Sequence, residues 1–486
     1  MGVSPPVLHR GLSSGQMGML TIGSVIGTGL FLGSGLAVSM AGPTVLLAYL
    51  VAAVLAVALT YAAIEMAAAN PDLNGFGAFA YRYLGPLAGF AQRWLYWGVV
   101  VISTGTQAVA VGIYVRYWWP QVPLWIPVAL SAAAVVVTNL FSVRAFGTLE
   151  YWFSAIKVSA IVAFLVLGVV LVTVGLPNRP AVGLTAFTDA PSYLPQGITG
   201  LAVALVVASF SFGGTETLAL AAAESRNPSL DLARTARWTI LRLCVFYLLG
   251  MAIVVCVAHA VAAAPDGELT ASPFVRVFDW AGLPIAAAAM NFVVLTAALS
   301  ALNAIVYVST RTLFSLAVDG QAPRWATRVN RRGVPVNAVA ASAVGLPFAV
   351  TVALVSPDDA FAKMLGIVMF GAITTWVLIF ATHASFRRRR TADEVRRSPL
   401  SLPGGWRTSA SAAVAMAAVA VGMLFIDIFR TAWTVGAPSL LAILAAYAVV
   451  RMVRDRRGTT RPGGRRGGPR ARRSAREPVE RPSAPR

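Results

Sequence analysis

The sequence predicts an all-α polytopic membrane protein with twelve transmembrane helices, and three observations carry the prediction. First, 57% of the 486 residues are apolar and only 12% charged, with a mean hydropathy of +0.72. A soluble domain holds roughly 25% charged and about 45–50% apolar residues, so this chain cannot hide its apolar surface in a water-soluble core. Second, the apolar residues gather into twelve long runs. At ~20 residues per spanning helix, twelve spans need about 240 residues, within the 277 or so that 57% of 486 supplies. Third, the first and sixth runs are each interrupted by glycine, the pattern of a five-plus-five inverted repeat with a substrate site at the membrane midplane.

In chain order the runs are 17–40, 44–68, 87–115, 124–141, 152–175, 198–221, 239–263, 283–310, 336–355, 361–386, 409–429 and 434–452. Run 1 lacks a strong basic flank and eleven spans follow it, so it is expected to be a retained helix rather than a cleaved signal. All twelve runs are too long and too uniformly apolar for barrel strands. Runs 1–5 (about 17–175) form the first repeat and runs 6–10 (about 198–386) the second, with two further helices over about 409–452. Residues 1–16 and 453–486 lie outside this membrane-spanning domain.

The formal charge of +20 is distributed as membrane topology requires. Thirteen of the 39 basic residues fall between Arg451 and Arg486, and most others sit in short connections. One face collects Arg82, Arg93, Arg144, Arg226, Arg234, Arg237, Arg242, the group from Arg311 to Arg332, Arg387–Arg390 and the tail. Opposite lie Arg116, Arg179, Arg276, Lys363 and Arg430, among Asp189, Asp266, Glu268, Asp279, Asp358 and Asp359. Both termini are therefore expected in the cytoplasm, with the basic face attracted to anionic lipid. The Arg/Gly/Pro-rich tail cannot order itself, and it reads as solvated or lipid-touching rather than as a nucleic-acid arm. Two cysteines within one run exclude a disulfide scaffold, and no His/Cys cluster offers a metal site. No cofactor is expected.

Run 1 contains Gly23-Ser24-Val25-Ile26-Gly27-Thr28-Gly29-Leu30-Phe31-Leu32-Gly33, and run 6 contains Phe210-Ser211-Phe212-Gly213-Gly214-Thr215-Glu216-Thr217. Glycine in mid-span disfavours helix and exposes backbone amides. Helix packing explains Gly29 and Gly33 equally well, because small residues at four-residue spacing let helices approach. It explains Gly213-Gly214 followed by an intramembrane Glu216 less well. An unwound Gly27-Thr28-Gly29 offers N–H groups to an anion, while carbonyls around Val25, Phe210 and Gly213 accept from a cation. A zwitterion with adjacent amine and carboxylate satisfies both, which points to an amino acid. Replacing Gly29 by Val is then expected to abolish uptake but not insertion.

These residues resemble the amino acid permeases of the amino acid–polyamine–organocation superfamily, secondary transporters with the leucine-transporter-like inverted-repeat fold. The marks run from His9-Arg10-Gly11-Leu12 through Ile26-Gly27-Thr28-Gly29-Leu30-Phe31-Leu32-Gly33, Ala41-Gly42-Pro43, and Glu65 with Pro71. They continue with Phe146-Gly147, Glu150-Tyr151-Trp152-Phe153, Ile156-Lys157-Val158, Phe210 to Gly214 with Glu216, and Ala222-Ala223-Glu224 with Asn227-Pro228. Ser309 to Arg311, Ala322-Pro323 and Arg332-Gly333-Val334-Pro335-Val336-Asn337 complete the set. The resemblance implies that Thr28 and Gly29 bind the substrate carboxylate. It assigns the α-amine to main-chain carbonyls of Val25, Phe210 and Gly213, with Phe210 also a gating aromatic. The chain departs from the family at Ile64 and at Gln107, where many relatives carry Gly or Ala and an acidic residue respectively. Phe210, Phe212, Thr215, Gln107 and Asn303 are the expected side-chain pocket, favouring a small neutral or modestly polar amino acid. A cationic substrate is the alternative if Glu216 faces the pocket.

Charges inside a membrane mark function or pairing. Glu216 is placed to bind a proton, a substrate ammonium or a neighbouring helix. Glu65, Glu150 and Glu224 sit at span ends within reach of arginines such as Arg82 or Arg226, and read as structural ion pairs. Trp118 and Trp119 read as interfacial anchors, and His383 as interfacial. Lys157 differs. The chain has 37 arginines and two lysines, and Lys157 lies inside run 5. Arginine keeps its proton whereas a buried lysine can release one, and the resemblance puts Lys157 where proton-coupled members carry a lysine. It is the expected proton-coupling group, the alternative being a side chain that snorkels to the headgroups. Proton symport is expected ahead of sodium coupling or exchange. A passive channel, a membrane enzyme or an ATP-driven pump finds no repeated filter loop, catalytic cluster or P-loop in the chain.

Overall fold

The computed structural model describes residues 27–73, 75–141, 146–177, 179–188, 193–216, 230–262, 272–330, 333–396, 398 and 400–459. Lipid offers no hydrogen bonds, so a long apolar segment satisfies its backbone internally by coiling into a helix. The described chain opens on a π-helical turn, Gly29–Gly33, that leads into helix α1 (Ser34–Ala41). There follow α2 (Val45–Ala69), α3 (Phe76–Leu84), α4 (Pro86–Arg116), α5 (Trp125–Phe141) and α6 (Phe146–Thr173). A small antiparallel hairpin pairs β1 (Gly175–Leu176) with β2 (Arg179–Pro180), Gly175 opposite Pro180. After the single turn α7 (Thr185–Thr188) come α8 (Gly197–Ser211), α9 (Leu230–Ala262), α10 (Pro273–Trp280) and α11 (Pro284–Val318). The chain continues as α12 (Val336–Ser342), α13 (Gly345–Val355), α14 (Ala360–Arg388), α15 (Ala392–Arg396), α16 (Trp406–Gly422) and α17 (Asp427–Thr459).

Among the described residues, nine helical stretches are long and apolar enough to cross a membrane, and two shorter apolar helices, Trp125–Leu140 and Gly197–Ser211, join them. The chain is a predominantly helical multi-pass membrane protein. Helix ends differ from the apolar runs for one physical reason: hydropathy marks what lipid tolerates, whereas backbone hydrogen bonds continue into the interface. Hence α9 starts at Leu230, through Asp231, Arg234 and Arg237, and α17 extends past 452 to Thr459. Run 9 is two helices rather than one. The N–H groups of Val344 and Leu346 bond three residues back, to Ala341 and Ala343, which interrupts the α-helical ladder.

Helices α4 and α14 form the centre, being mostly buried, while little of the apolar length of α17 is buried. Helix α4 packs on α5, α11, α13, α14 and α17; α8 packs on the π-turn, α1, α2 and α14. At one end of α4, Arg93 donates to Asp319 Oδ2 at 2.6 Å and to Ser315 Oγ at 2.9 Å, both on or beside the end of α11. Trp94 and Trp97 reinforce this junction through the Gln321 carbonyl and Ser342 Oγ.

Candidate functional site

The two glycine-rich segments meet, and the described part of the first, from Thr28, is helical where an unwound stretch was expected. Thr28 precedes the π-turn and is buried, and its Oγ1 has no hydrogen-bond partner among the described residues. Gly27 is half-buried, and its carbonyl accepts from the Phe31 N–H at 3.3 Å. A Cβ placed on Gly29 would lie 2.7 Å from Ser211 Cα, 3.0 Å from Ser211 N and 3.0 Å from Phe210 Cδ1. A Cβ on Gly33 would meet Val207 at 2.9 Å. Glycine is needed at 29 because backbone meets backbone there, so the packing explanation applies to both positions. Gly29→Val is therefore expected to lower thermal stability in detergent by about 1–3 kcal/mol, the usual cost of overpacking, as well as uptake. Wild-type stability with uptake lost would instead mark a direct contact between substrate and backbone.

The end of α8 follows from its own hydrogen bonds. Helix α8 ends at Ser211, and Gly213 N–H bonds back to the Phe210 carbonyl at 3.0 Å. Gly214 has φ +92°, a left-handed value that glycine supplies at no steric cost. Its N–H donates to Glu216 Oε2 at 3.0 Å, and the carboxylate also accepts from its own backbone N–H. Glu216 is buried, with the Trp376 side chain as a further hydrogen-bonding neighbour and the Tyr96 hydroxyl in its field.

The expected pocket residues separate. Gln107 is buried on α4, its Oε1 without a hydrogen-bond partner among the described residues, and Phe210 is half-buried against the π-turn. Phe212 makes tilted ring contacts with Tyr49 of α2 and Tyr247 of α9, with ring centroids 6.4 and 4.8 Å away. Phe212 and Thr215 line a narrow cavity with Ser209, α2, Trp376 and Phe380 of α14, and Met416 of α16, in which neither Thr28 nor Gln107 takes part. Asn303 turns to α5, accepting from Asn139 Nδ2 at 2.7 Å. Val25 lies outside the described residues. Above the π-turn, Ser272 Oγ donates to the Phe31 carbonyl, and Phe274 of α10 packs edge-on to Phe31 and against Phe164 of α6. At the end of α4 the Tyr117 hydroxyl donates to Asp279 Oδ1 at 3.3 Å, and burial pushes the Asp279 carboxyl above its usual range.

Lys157 on α6 is 1% exposed, so its side chain is enclosed by the helix packing. Glu65 forms an ion pair as expected, though with partners other than the expected ones. Arg387 Nη1 donates to Oε1 at 2.5 Å, and Leu402 N–H donates to Oε2 at 2.9 Å. His383 Nε2 lies 3.0 Å from the same Oε2, with Nδ1 2.7 Å from Ser409 Oγ. His383 is fully buried, where it bridges α2, α14 and α16. Arg82 pairs with Asp72 instead. Glu224 and Arg226 lie outside the described residues, as does the side chain of Glu150. Sequence reasoning missed Trp376, Tyr96 and the Glu65 partners. A signal existed only for the last, since His383 and Arg387 are four apart on one helix face.

Residues 16–456 match the family model described as "Amino acid permease". The aromatic amino acid transport protein AroP of Escherichia coli (strain K12) is 36% identical over 390 residues, 80% of this chain and 84% of that protein. The gamma-aminobutyric acid permease of Bacillus subtilis (strain 168) is 34% identical over 454 residues, 93% of this chain and 95% of that protein.

Proposed function

We propose that this chain, which belongs to the amino acid permease family, is a secondary carrier that imports a neutral amino acid across the plasma membrane by proton symport. On this reading it has twelve spans, a leucine-transporter-like five-plus-five inverted repeat broken in helices 1 and 6, two added C-terminal helices and cytoplasmic termini. The observation that carries it is the meeting of the two glycine-rich segments. Gly29 lies against the backbone of Ser211, beside Thr28, and helix α8 ends just before Gly213-Gly214. The substrate carboxylate is assigned to Thr28 and Gly29, the amine to the carbonyls of Val25, Phe210 and Gly213, and side-chain contact to Gln107. A neutral substrate is favoured because the Glu216 carboxylate already receives two backbone N–H groups and adjoins Trp376, which leaves it poorly presented to a substrate cation. Lys157 is assigned the coupling proton, its burial supporting a role inside the packing.

Purified protein in ATP-free proteoliposomes tests this directly, over phenylalanine, tyrosine, tryptophan, γ-aminobutyrate, alanine and lysine. The relatives' names set the first four. Accumulation above the outside concentration is expected under an inward proton gradient, with collapse on adding a protonophore and no change when sodium is replaced by choline. Equilibration without accumulation would mark a passive pathway, and a sodium requirement would reject proton coupling.

A further inference from the structure

Two guanidinium groups on the arginine-rich side have no counter-charge of their own, and we propose that they bind the headgroup phosphate of an anionic phospholipid. The last turn of α14 runs into four successive arginines, 387–390, and three are engaged within the protein. Arg387 pairs with buried Glu65. Arg389 Nη2 donates to the Tyr83 carbonyl at 3.0 Å, and Arg390 lies 3.8 Å from Glu394 and reaches the Ala69 carbonyl at 3.4 Å. Arg388 instead lies over the Trp406 ring, its Cζ 4.3 Å from the centroid, and Arg407 lies over the same ring at 5.7 Å. Neither has a carboxylate or hydrogen-bond partner among the described residues, and both are exposed.

This arrangement is built rather than incidental. Gly404 and Gly405 have φ +74° and +58°, and a Cβ on Gly405 would lie 3.0 Å from Arg387 Nη2. Arg387, held by Glu65, is the floor under that turn, and the turn starts α16 with Trp406 and Arg407 beside Arg388. Two like charges over one indole repel. A phosphate diester removes the repulsion and accepts fork-like, charge-assisted hydrogen bonds from both groups. What selects a lipid over a free anion is the rest of α16. Arg407, Val414 and Val421 follow at seven-residue spacing and so share one helix face, and Val414 and Val421 are 70% and 50% exposed. The headgroup sits at the arginines, with an acyl chain along the valines and the Trp406 ring at headgroup depth.

The test uses the full-length protein stripped of lipid in detergent, titrated with phosphatidylglycerol or phosphatidylcholine and read by native mass spectrometry. Phosphatidylglycerol is expected to bind at least ten times more tightly than phosphatidylcholine. The double variant Arg388→Gln/Arg407→Gln is expected to weaken it by roughly thirtyfold, about fivefold per cation, with phosphatidylcholine unaffected. Arg396→Gln, which removes a cation already paired with Asp393, is expected to change nothing. Should the double variant fail to fold, the exposed Arg407→Gln alone is expected to give the fivefold loss. Equal binding of the two lipids, or undiminished phosphatidylglycerol on the variants, would overturn the proposal. So would displacement of phosphatidylglycerol by millimolar inorganic phosphate, which marks a plain anion site.

Discussion

Lys157→Met is expected to reduce proton-driven accumulation from about a hundredfold to none under a gradient of about two pH units, each unit being worth about tenfold. Methionine keeps the length and apolar packing of the stem, and the position is 1% exposed, so the helices should still pack. On the proposed reading, what is lost is a proton that can leave. Helix α6 packs on α11, where Ser300 is buried, and on that reading an ammonium between them would tie the bundle in its charged state only. Lys157→Arg is expected to fail as well, because a guanidinium stays charged in either orientation of the carrier. Accumulation ratios in proteoliposomes check both. Normal accumulation by Lys157→Arg would return the lysine to a packing role and make Glu216 the next coupling group to test.

Glu65→Ala is expected to cost about 3–5 kcal/mol of stability, the range for removing one partner of a buried pair. The carboxylate receives Arg387, His383 and the Leu402 N–H. Its loss leaves a guanidinium that is only 12% exposed without an acceptor. Replacing the whole group, as Glu65→Leu/His383→Leu/Arg387→Met, is expected to recover most of that loss, since apolar side chains of similar volume often match a buried ion pair. Unfolding midpoints in detergent decide the matter. An unshifted midpoint for Glu65→Ala would mean that the group contributes little to holding α16 against α2 and α14.

Legibility followed dimensionality. The apolar runs are a one-dimensional property, so a multi-pass helical protein could be read directly from composition and spacing. The resemblance to amino acid permeases was likewise carried by short motifs in order, and the family match over 16–456 bears it out. That helical form ends by Gly213-Gly214 was legible because glycine there has few other uses. That two α-helices rather than one fill run 9 was not, since hydropathy cannot see a local change from four-residue to three-residue hydrogen bonds.

Partners lay beyond the sequence. Glu65 was expected to form an ion pair, and did, yet its partners come from 318 and 322 residues away. Span-end arginines are numerous here, and charge alone cannot rank them. Packing of α2 on α14 ranks them, because only groups brought within about 3 Å while excluded from water can compensate a buried carboxylate. The same applies to Phe212. Its chemistry suited a substrate pocket, and packing set its neighbours, Tyr49 and Tyr247 on one hand and the cavity with Thr215 and Trp376 on the other. By itself the sequence determined that the chain must coil through lipid and which family it belongs to, since lipid constrains every residue by its own chemistry. Only the tertiary structure decided which buried polar groups meet, because that depends on how whole helices rotate and cross to fill space.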